Sequence, residues 1–197
     1  MATGLMARFA AERRGSAMAE MAVIMPILVF IILAGFEVGR FALLQQKLNR
    51  AAVSMADLVS QANGITLTDI TNLYQATSFV VRPFDMSTKG LLIVSSVSKT
   101  GANPPVVDWQ CIGAGAASAT SELGVPGGTA TLPAGFALAP GDNAIYAEIV
   151  YDYVPFLFPD LIGAKQVRHR ALFRPRFGAL TTLDASGTPP ASPPSCT

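Results

Sequence analysis

An uncharged apolar run near the N-terminus constrains this chain more than any other feature. Residues 21–36 read MAVIMPILVFIILAGF and contain no charged residue. As a helix rising 1.5 Å per residue, the run spans about 24 Å, close to the roughly 30 Å hydrocarbon core of a bilayer. Apolar residues make up 51% of the chain and charged residues only 14%, whereas a typical soluble domain carries about 25% charged residues. Part of the chain is therefore expected in lipid or inside an assembly.

The basic segment before this run leaves three interpretations open. Residues 1–15 carry Arg8, Arg13 and Arg14 against the single acid Glu12. They are compatible with a secretory signal cut near Ala34-Gly35, with an uncleaved signal anchor, or with a prepilin-type leader cut before the apolar run. The helical pattern continues past Gly35, which disfavours the secretory signal.

Glu20, directly before the run, favours the prepilin-type leader. A carboxylate inside a lipid-embedded helix costs about 2.5 kcal/mol or more at mid-bilayer, so it usually has a partner. If a peptidase cuts after Gly15, Ser16 becomes a charged amine and Glu20 lies in the first helical turn, where the helix dipole favours an anion. Glu20 is then placed to neutralise the amine of a neighbouring subunit. The alternative is that Glu20 simply lies in the headgroup layer.

The same segment resembles the start of the TadE/TadG family, with a basic pair, a glycine, four residues and a glutamate. Met21 stands where that family usually has Phe. The residues that carry the resemblance are Arg13, Arg14, Gly15, Ser16, Glu20, Met21, Pro26, Phe36, Glu37, Gly39, Arg40 and the run Gln45–Ala52. Looser landmarks of the family ectodomain are Gly141-Asp142-Asn143, Glu148, Tyr151–Pro155 and Arg174-Pro175-Arg176. The close match covers about residues 13–60, roughly a quarter of the chain.

The resemblance implies a minor pseudopilin of a tight-adherence (Flp-type) pilus, acting in its assembly, initiation or tip and not as an enzyme. A prepilin peptidase would recognise Arg13, Arg14 and Met21 and cut between Gly15 and Ser16. The implied partners are other pilin and pseudopilin subunits, that peptidase, the inner-membrane assembly platform and membrane lipid. The head would lie in the periplasm and later on the cell surface.

Two cysteines and one histidine limit the chemistry that the head can carry. If the head lies outside the cytoplasm, as the resemblance implies, Cys111 and Cys196 form a natural disulfide that tethers the tail; the alternative is two free thiols. Together with His169, these residues leave little material for a metal site, so we expect no metal and no cofactor. The net charge of +1 gives no reason to expect nucleic-acid binding.

The pattern predicts an α+β fold in which a long N-terminal helix packs on a small antiparallel sheet, a pilin-like lollipop. The predicted parts are a leader at 1–15, a helix at 16–61 with its transmembrane half at about 18–40, a head at 62–185 with a mobile loop insertion at 113–143, and an unstructured Pro/Ser-rich tail at 186–197. An apolar stripe of Leu44, Leu48, Ala51, Met55 and Leu58 predicts that the outer half of the helix packs on the head. Pro26 is expected to kink or loosen this helix.

Within the head, Thr68 is predicted to cap a second helix, and four strands follow without intervening helices. The strands are predicted at Leu91–Val97, Val106–Ile112, Ala144–Tyr153 and Val167–Phe177. The last strand places Arg168, Arg170, Arg174 and Arg176 on one face, with Glu148 and Asp152 as the candidate ion-pair partners; this face either binds another subunit or is solvated. His169 falls on the other face as a structural histidine. A signal-anchored periplasmic binding or scaffolding protein, and more weakly an extracellular hydrolase, remain alternatives to the pilin.

Overall fold

The structure, a computed structural model, describes residues 13–113, 115, 117–157, 159–184 and 195–196. Most of the expected leader and most of the expected tail therefore lie outside the described residues. The chain forms two compact units, Met1–Ala42 and Leu43–Thr197.

Helix α1, Arg13–Ser60, carries the apolar run. It begins three residues before the predicted Ser16 and continues through Pro26, so the kink at Pro26 stays a prediction. Among the described residues it is the one helix long and apolar enough to cross a membrane, and its apolar side chains in the first unit are exposed, Ile31 by 63%. Four residues past its end, Gly64 has a φ of +110°, a conformation that suits glycine.

The part of α1 in the second unit has a buried stripe. Its buried apolar residues are Leu44, Leu48, Ala51, Ala52, Met55, Ala56 and Val59. The predicted member Leu58 is instead 49% exposed, and Val59 takes its place at 1%. The reason is the helical period: at about 100° per residue the buried stripe is centred about 40° from Leu44, so Val59 lies about 20° from that centre and Leu58 about 80° from it, at the edge of the stripe.

Two short helices follow α1. Helix α2, Leu67–Val81, is capped by Thr66, which forms a reciprocal capping box with Asp69. The prediction of Thr68 as the cap is wrong, since the box requires the cap three residues before the acid. Helix α3, Met86–Lys89, is a single turn capped by Asp85.

The strands form one antiparallel sheet of order β4-β3-β1-β2-β5. They are β1 Gly90–Ser98, β2 Val106–Ile112, β3 Asn143–Tyr153, β4 Lys165–Phe173 and β5 Ser195–Cys196, with a one-turn helix α4, Pro159–Ile162, between β3 and β4. Strand β4 ends before the predicted Phe177 because Pro175 lacks an N–H and restricts Arg174 before it. The short β5 corrects the expectation that the tail has no secondary structure.

Both faces of strand β3, which lies between β4 and β1, are covered. The Leu43–Ser60 part of α1 lies on the face that carries Ile149 and His169, as the contact between His169 and Gln45 shows. On the other face, residues of the expected loop insertion pack into the core, including Leu123 at 0% and Leu138 at 3% exposure, against Tyr146. The described residues between β2 and β3 thus form a third layer, so this side of the sheet is not a solvated face.

Candidate functional site

The residues around the expected leader cut lie in the first turns of α1. The backbone of Gly15 and Ser16 is helical in the intact chain, and Glu20 follows as an exposed residue of the same helix. Because α1 begins at Arg13, Glu20 lies seven positions inside it, about two turns from the helix start. The expected first-turn position of Glu20 therefore applies only to a chain cut after Gly15, and the cut itself stays a prediction.

The motif after the apolar run mixes buried and exposed residues. Glu37 is 3% exposed, while Phe36 is 57% and Val38 is 69% exposed. A carboxylate that is out of water needs polar partners, so the near-complete burial of Glu37 singles it out from its neighbours. Arg40, one turn on, is half-buried.

Gly35 and Gly39 form a pair of glycines four residues apart on α1. A Cβ placed on either glycine would meet no atom within 4 Å, so nothing in this chain requires glycine there for space. Glycines four residues apart lie on one face of a helix and let a second helix approach closely in a membrane. The four-residue spacing is visible in the sequence and could have been noticed there.

The cysteine prediction is confirmed. Cys111 of β2 and Cys196 of β5 form a disulfide across 85 residues of sequence. Cys111 is fully buried, and its carbonyl accepts a hydrogen bond of 2.7 Å from the Tyr74 hydroxyl of α2. Burial raises the pKa of Tyr74, so this hydroxyl stays protonated and remains a donor.

The arginines of β4 face a buried carboxylate. Glu148 is fully buried and lies 2.6 Å from Nη1 of Arg168. The same carboxylate accepts hydrogen bonds from the Ser121 hydroxyl and, at 3.0 Å, from the backbone N–H of Glu122. The carboxylate of Glu122 in turn pairs with Arg168 and Arg170. The sequence indicated Glu148 as a partner but missed Glu122, because the loop that carries it was not expected on the sheet.

The remaining predicted pairs differ from expectation. Asp152 accepts a hydrogen bond from Gln166 at 2.9 Å. Arg174 and Arg176 lie beyond the end of β4, so they do not share a strand face with Arg168. Arg174 pairs with Asp142 at 3.0 Å, and Arg176 pairs with Asp57 of α1 at 2.9 Å. These two ion pairs hold the segment after β4 to the residue before β3 and to the end of α1.

Asn143, at the start of β3, joins three segments. Its amide donates to the Ser96 hydroxyl at 2.8 Å and accepts from the backbone N–H of Leu180 at 3.0 Å. The indole of Trp109 donates to the Leu180 carbonyl at 2.8 Å.

Beside this cluster, burial raises the pKa of Asp108, although the hydroxyls of Ser98 and Ser96 oppose that rise. In the part of the chain that is described, every buried side-chain nitrogen and oxygen has a hydrogen-bond partner, so the cluster is complete without a ligand.

His169 has the environment of a structural histidine. Its ring nitrogen Nε2 lies against the Gln45 amide oxygen of α1, and burial lowers the pKa of His169. The ring therefore favours its neutral form, in which Nε2–H donates to that oxygen. Over the described ranges, no group of three or more His, Cys, Asp or Glu residues could hold a metal ion.

Comparison with protein families matches residues 15–56 to the family described as TadE-like protein. The match begins at Gly15 and includes Glu20, Pro26 and the segment from Phe36 to Arg40, so it confirms the resemblance drawn from these residues. It covers α1 and does not extend to the sheet. No curated protein and no solved structure matches this chain.

Proposed function

We propose that this chain, which is TadE-like over residues 15–56, is a structural pseudopilin of a tight-adherence pilus. Helix α1 anchors it in the inner membrane, and the unit from Leu43 onward lies in the periplasm and later on the cell surface. The observation that carries the proposal is the coincidence of the family match with a helix whose apolar residues are exposed within the chain itself. Such a surface requires lipid or other apolar helices around it.

In this proposal helix α1 has two roles in assembly: its start is cut by a peptidase, and the rest then packs against helices of other subunits. A prepilin peptidase recognises Arg13, Arg14 and Met21 and cuts between Gly15 and Ser16. Glu20 then neutralises the new amine of a neighbouring subunit, and the face with Gly35 and Gly39 allows close helix contact in a bundle. The second unit, held by its disulfide and ion pairs, is displayed at the start or tip of the pilus without catalysing a reaction.

Processing is tested by N-terminal sequencing of the mature chain after co-expression with the peptidase. A chain that starts at Ser16 is expected. Gly15→Val should block the cut, whereas Gly35→Val is the matched control, since its side chain meets open space and lies far from the cut. A mature chain that keeps residues 1–15 would instead support an uncleaved signal anchor with a binding or scaffolding head.

The role of Glu20 is tested after processing. Glu20→Ala should still be cut but should impair piliation, because the amine of the neighbouring subunit is left uncompensated in an apolar bundle. Glu20→Asp keeps the charge and is the matched control. Pili counted by electron microscopy give the readout, and normal piliation in Glu20→Ala would show that the charge has no part in assembly.

A further inference from the structure

The described part of the connection between β3 and β4, residues 154–157 and 159–164, carries a concentration of exposed apolar side chains. Val154 is 39%, Phe156 is 68% and Ile162 is 42% exposed. Single exposed apolar residues are ordinary on protein surfaces, as at Phe79 on α2. Three lie in this one short connection, and exposed apolar side chains concentrated in this way mark binding surfaces. We call residues 154–157 and 159–164, which include helix α4, the β3–β4 loop.

Contacts within the second unit locate this loop. His169 contacts Gln45, and Arg176 contacts Asp57, so β4 and this part of α1 run in the same direction. Lys165, where β4 begins, lies four residues before His169, which places it about 13 Å further back along the strand at 3.3 Å per residue. The β3–β4 loop therefore lies at the end of the second unit where the chain enters it, at Leu43.

The sequence connects that end directly to the anchor. Leu43 follows Phe36, the last residue of the apolar run, by seven residues, which reach at most about 25 Å even when fully extended. Of the two ends of the second unit, the end with the β3–β4 loop is therefore the one that the chain keeps within that reach of the apolar run.

We propose that the β3–β4 loop is a second membrane contact, which inserts Val154, Phe156 and Ile162 into the headgroup layer of the bilayer that holds α1. The inference rests on the anchorage that is part of the proposed function. It adds a binding surface that lies outside the TadE-like residues 15–56 and orients the head before assembly.

The chemistry of the loop suits an interface rather than the hydrocarbon core. Aromatic and branched apolar side chains bury well at the boundary between headgroups and acyl chains. Asp160 and Lys165, both exposed, remain at the level of the headgroups, where Lys165 is attracted to anionic lipid. A loop this small binds lipid weakly on its own, but tethering by α1 gives it a high effective concentration at the surface.

Tryptophan quenching in the full chain tests this contact. Phe156→Trp places a probe in the loop, and Phe177→Trp is the matched control, since Phe177 is equally exposed at 67% and follows Arg176 at the other end of the unit. The native Trp109 is 4% exposed, and the fluorescence of the wild-type chain measures its contribution to the signal of each variant. The chains are reconstituted in vesicles of phosphatidylethanolamine and phosphatidylglycerol, with or without bromine on acyl carbons near the headgroup.

The expected result for Phe156→Trp is a blue-shifted emission from the added tryptophan that brominated lipid quenches, with Phe177→Trp quenched no more than wild type. Equal quenching of both variants, or of neither, overturns the loop contact.

Flotation of the same vesicles after carbonate extraction tests the anchorage by α1 separately from the loop contact. A Phe156→Trp chain that stays with the vesicles while its added tryptophan is unquenched refutes only the loop contact. A chain that is stripped from the vesicles refutes the anchorage and the loop contact together.

Discussion

Glu148 shows how a single residue joins two layers of the second unit. It lies in the middle of β3 without exposure to solvent, where an ionised carboxylate is costly unless it is paired and hydrogen-bonded. Arg168 supplies the charge, while Ser121 and the Glu122 backbone supply hydrogen bonds from the loop layer. The irregular loop is therefore fixed to the sheet at this carboxylate.

Glu148→Ala should be strongly destabilising. Removing one member of a buried pair leaves the other charge uncompensated and costs about 3 kcal/mol or somewhat more. Denaturant unfolding of the full chain in detergent, followed by Trp109 fluorescence, measures the loss. Asp152→Ala is the control on the same strand; Asp152 is only half-buried, so its loss should stay at about 0.5 kcal/mol. Equal losses for the two variants would contradict a special role for Glu148.

His169 should make the second unit sensitive to mild acid. Burial lowers the pKa of His169 below its ordinary value of 6.5, so the unfolded chain binds its proton at a higher pH than the folded chain does. Stability is therefore full above about pH 6.5 and declines as the pH falls toward the lowered value. Unfolding at about pH 7.5 and about pH 5 should show a smaller decline in His169→Gln than in wild type. An identical decline would assign the effect to other groups.

Some residue roles can be predicted from the sequence. Others cannot, because they depend on contacts between distant segments or on exact spacing. The pairing of Cys111 with Cys196, and of Arg168 with Glu148, follows from residue type and from strand alternation. Glu122 was missed because its partner lies 48 residues away in sequence, and periodicity reports only local order. Thr66 was missed for a different reason, since two threonines precede Asp69 and only the three-residue spacing selects the first.

At the level of elements, strongly periodic segments were predicted well and the irregular layer was not. Helix α1 and strands β2 and β3 match their predicted bounds to within a few residues. The Gly, Ala, Ser, Thr and Pro content of the segment at 113–143 predicts a mobile loop insertion. Its core residues Leu123, Leu132 and Leu138 have neither helical nor strand spacing, so nothing local shows that they pack on Tyr146.

The disulfide between Cys111 and Cys196 stabilises the edge of the sheet. It joins β2 to the two-residue strand β5, which makes only a short ladder of its own. The double variant Cys111→Ser/Cys196→Ser should lose up to about 4 to 5 kcal/mol, the entropic limit for so long a closed loop. Denaturant unfolding measures this loss, and reduction of the wild-type chain should reproduce it. Alkylation of both cysteines without prior reduction would show that the bond does not form.

For the whole molecule, the exposed apolar residues and the buried core fall in different units. Every buried apolar residue of the described core lies at Leu44 or later, whereas the large apolar residues of Met21–Phe36 are exposed. The first unit thus gains stability from lipid or from other helices, and the second unit from its own core. This division fits a subunit whose helix exchanges a bilayer for a bundle while its head stays folded.

A chain that begins at Leu43 should consequently fold without detergent. It keeps the buried stripe of α1 from Leu44 to Val59, and it removes the exposed apolar side chains of Met21–Phe36 together with charged residues that include Glu20, Glu37 and Arg40. Size-exclusion chromatography should give a monomer, and near-ultraviolet circular dichroism should retain the signal of the buried Trp109.

A chain that begins at Ala52 is the control, because it lacks Leu44, Leu48 and Ala51. It should aggregate, since each buried leucine lost costs about 2 to 5 kcal/mol against a total stability of about 5 to 15 kcal/mol. If both truncated chains aggregate, the head depends on the first unit for folding; if both fold, the stripe is dispensable.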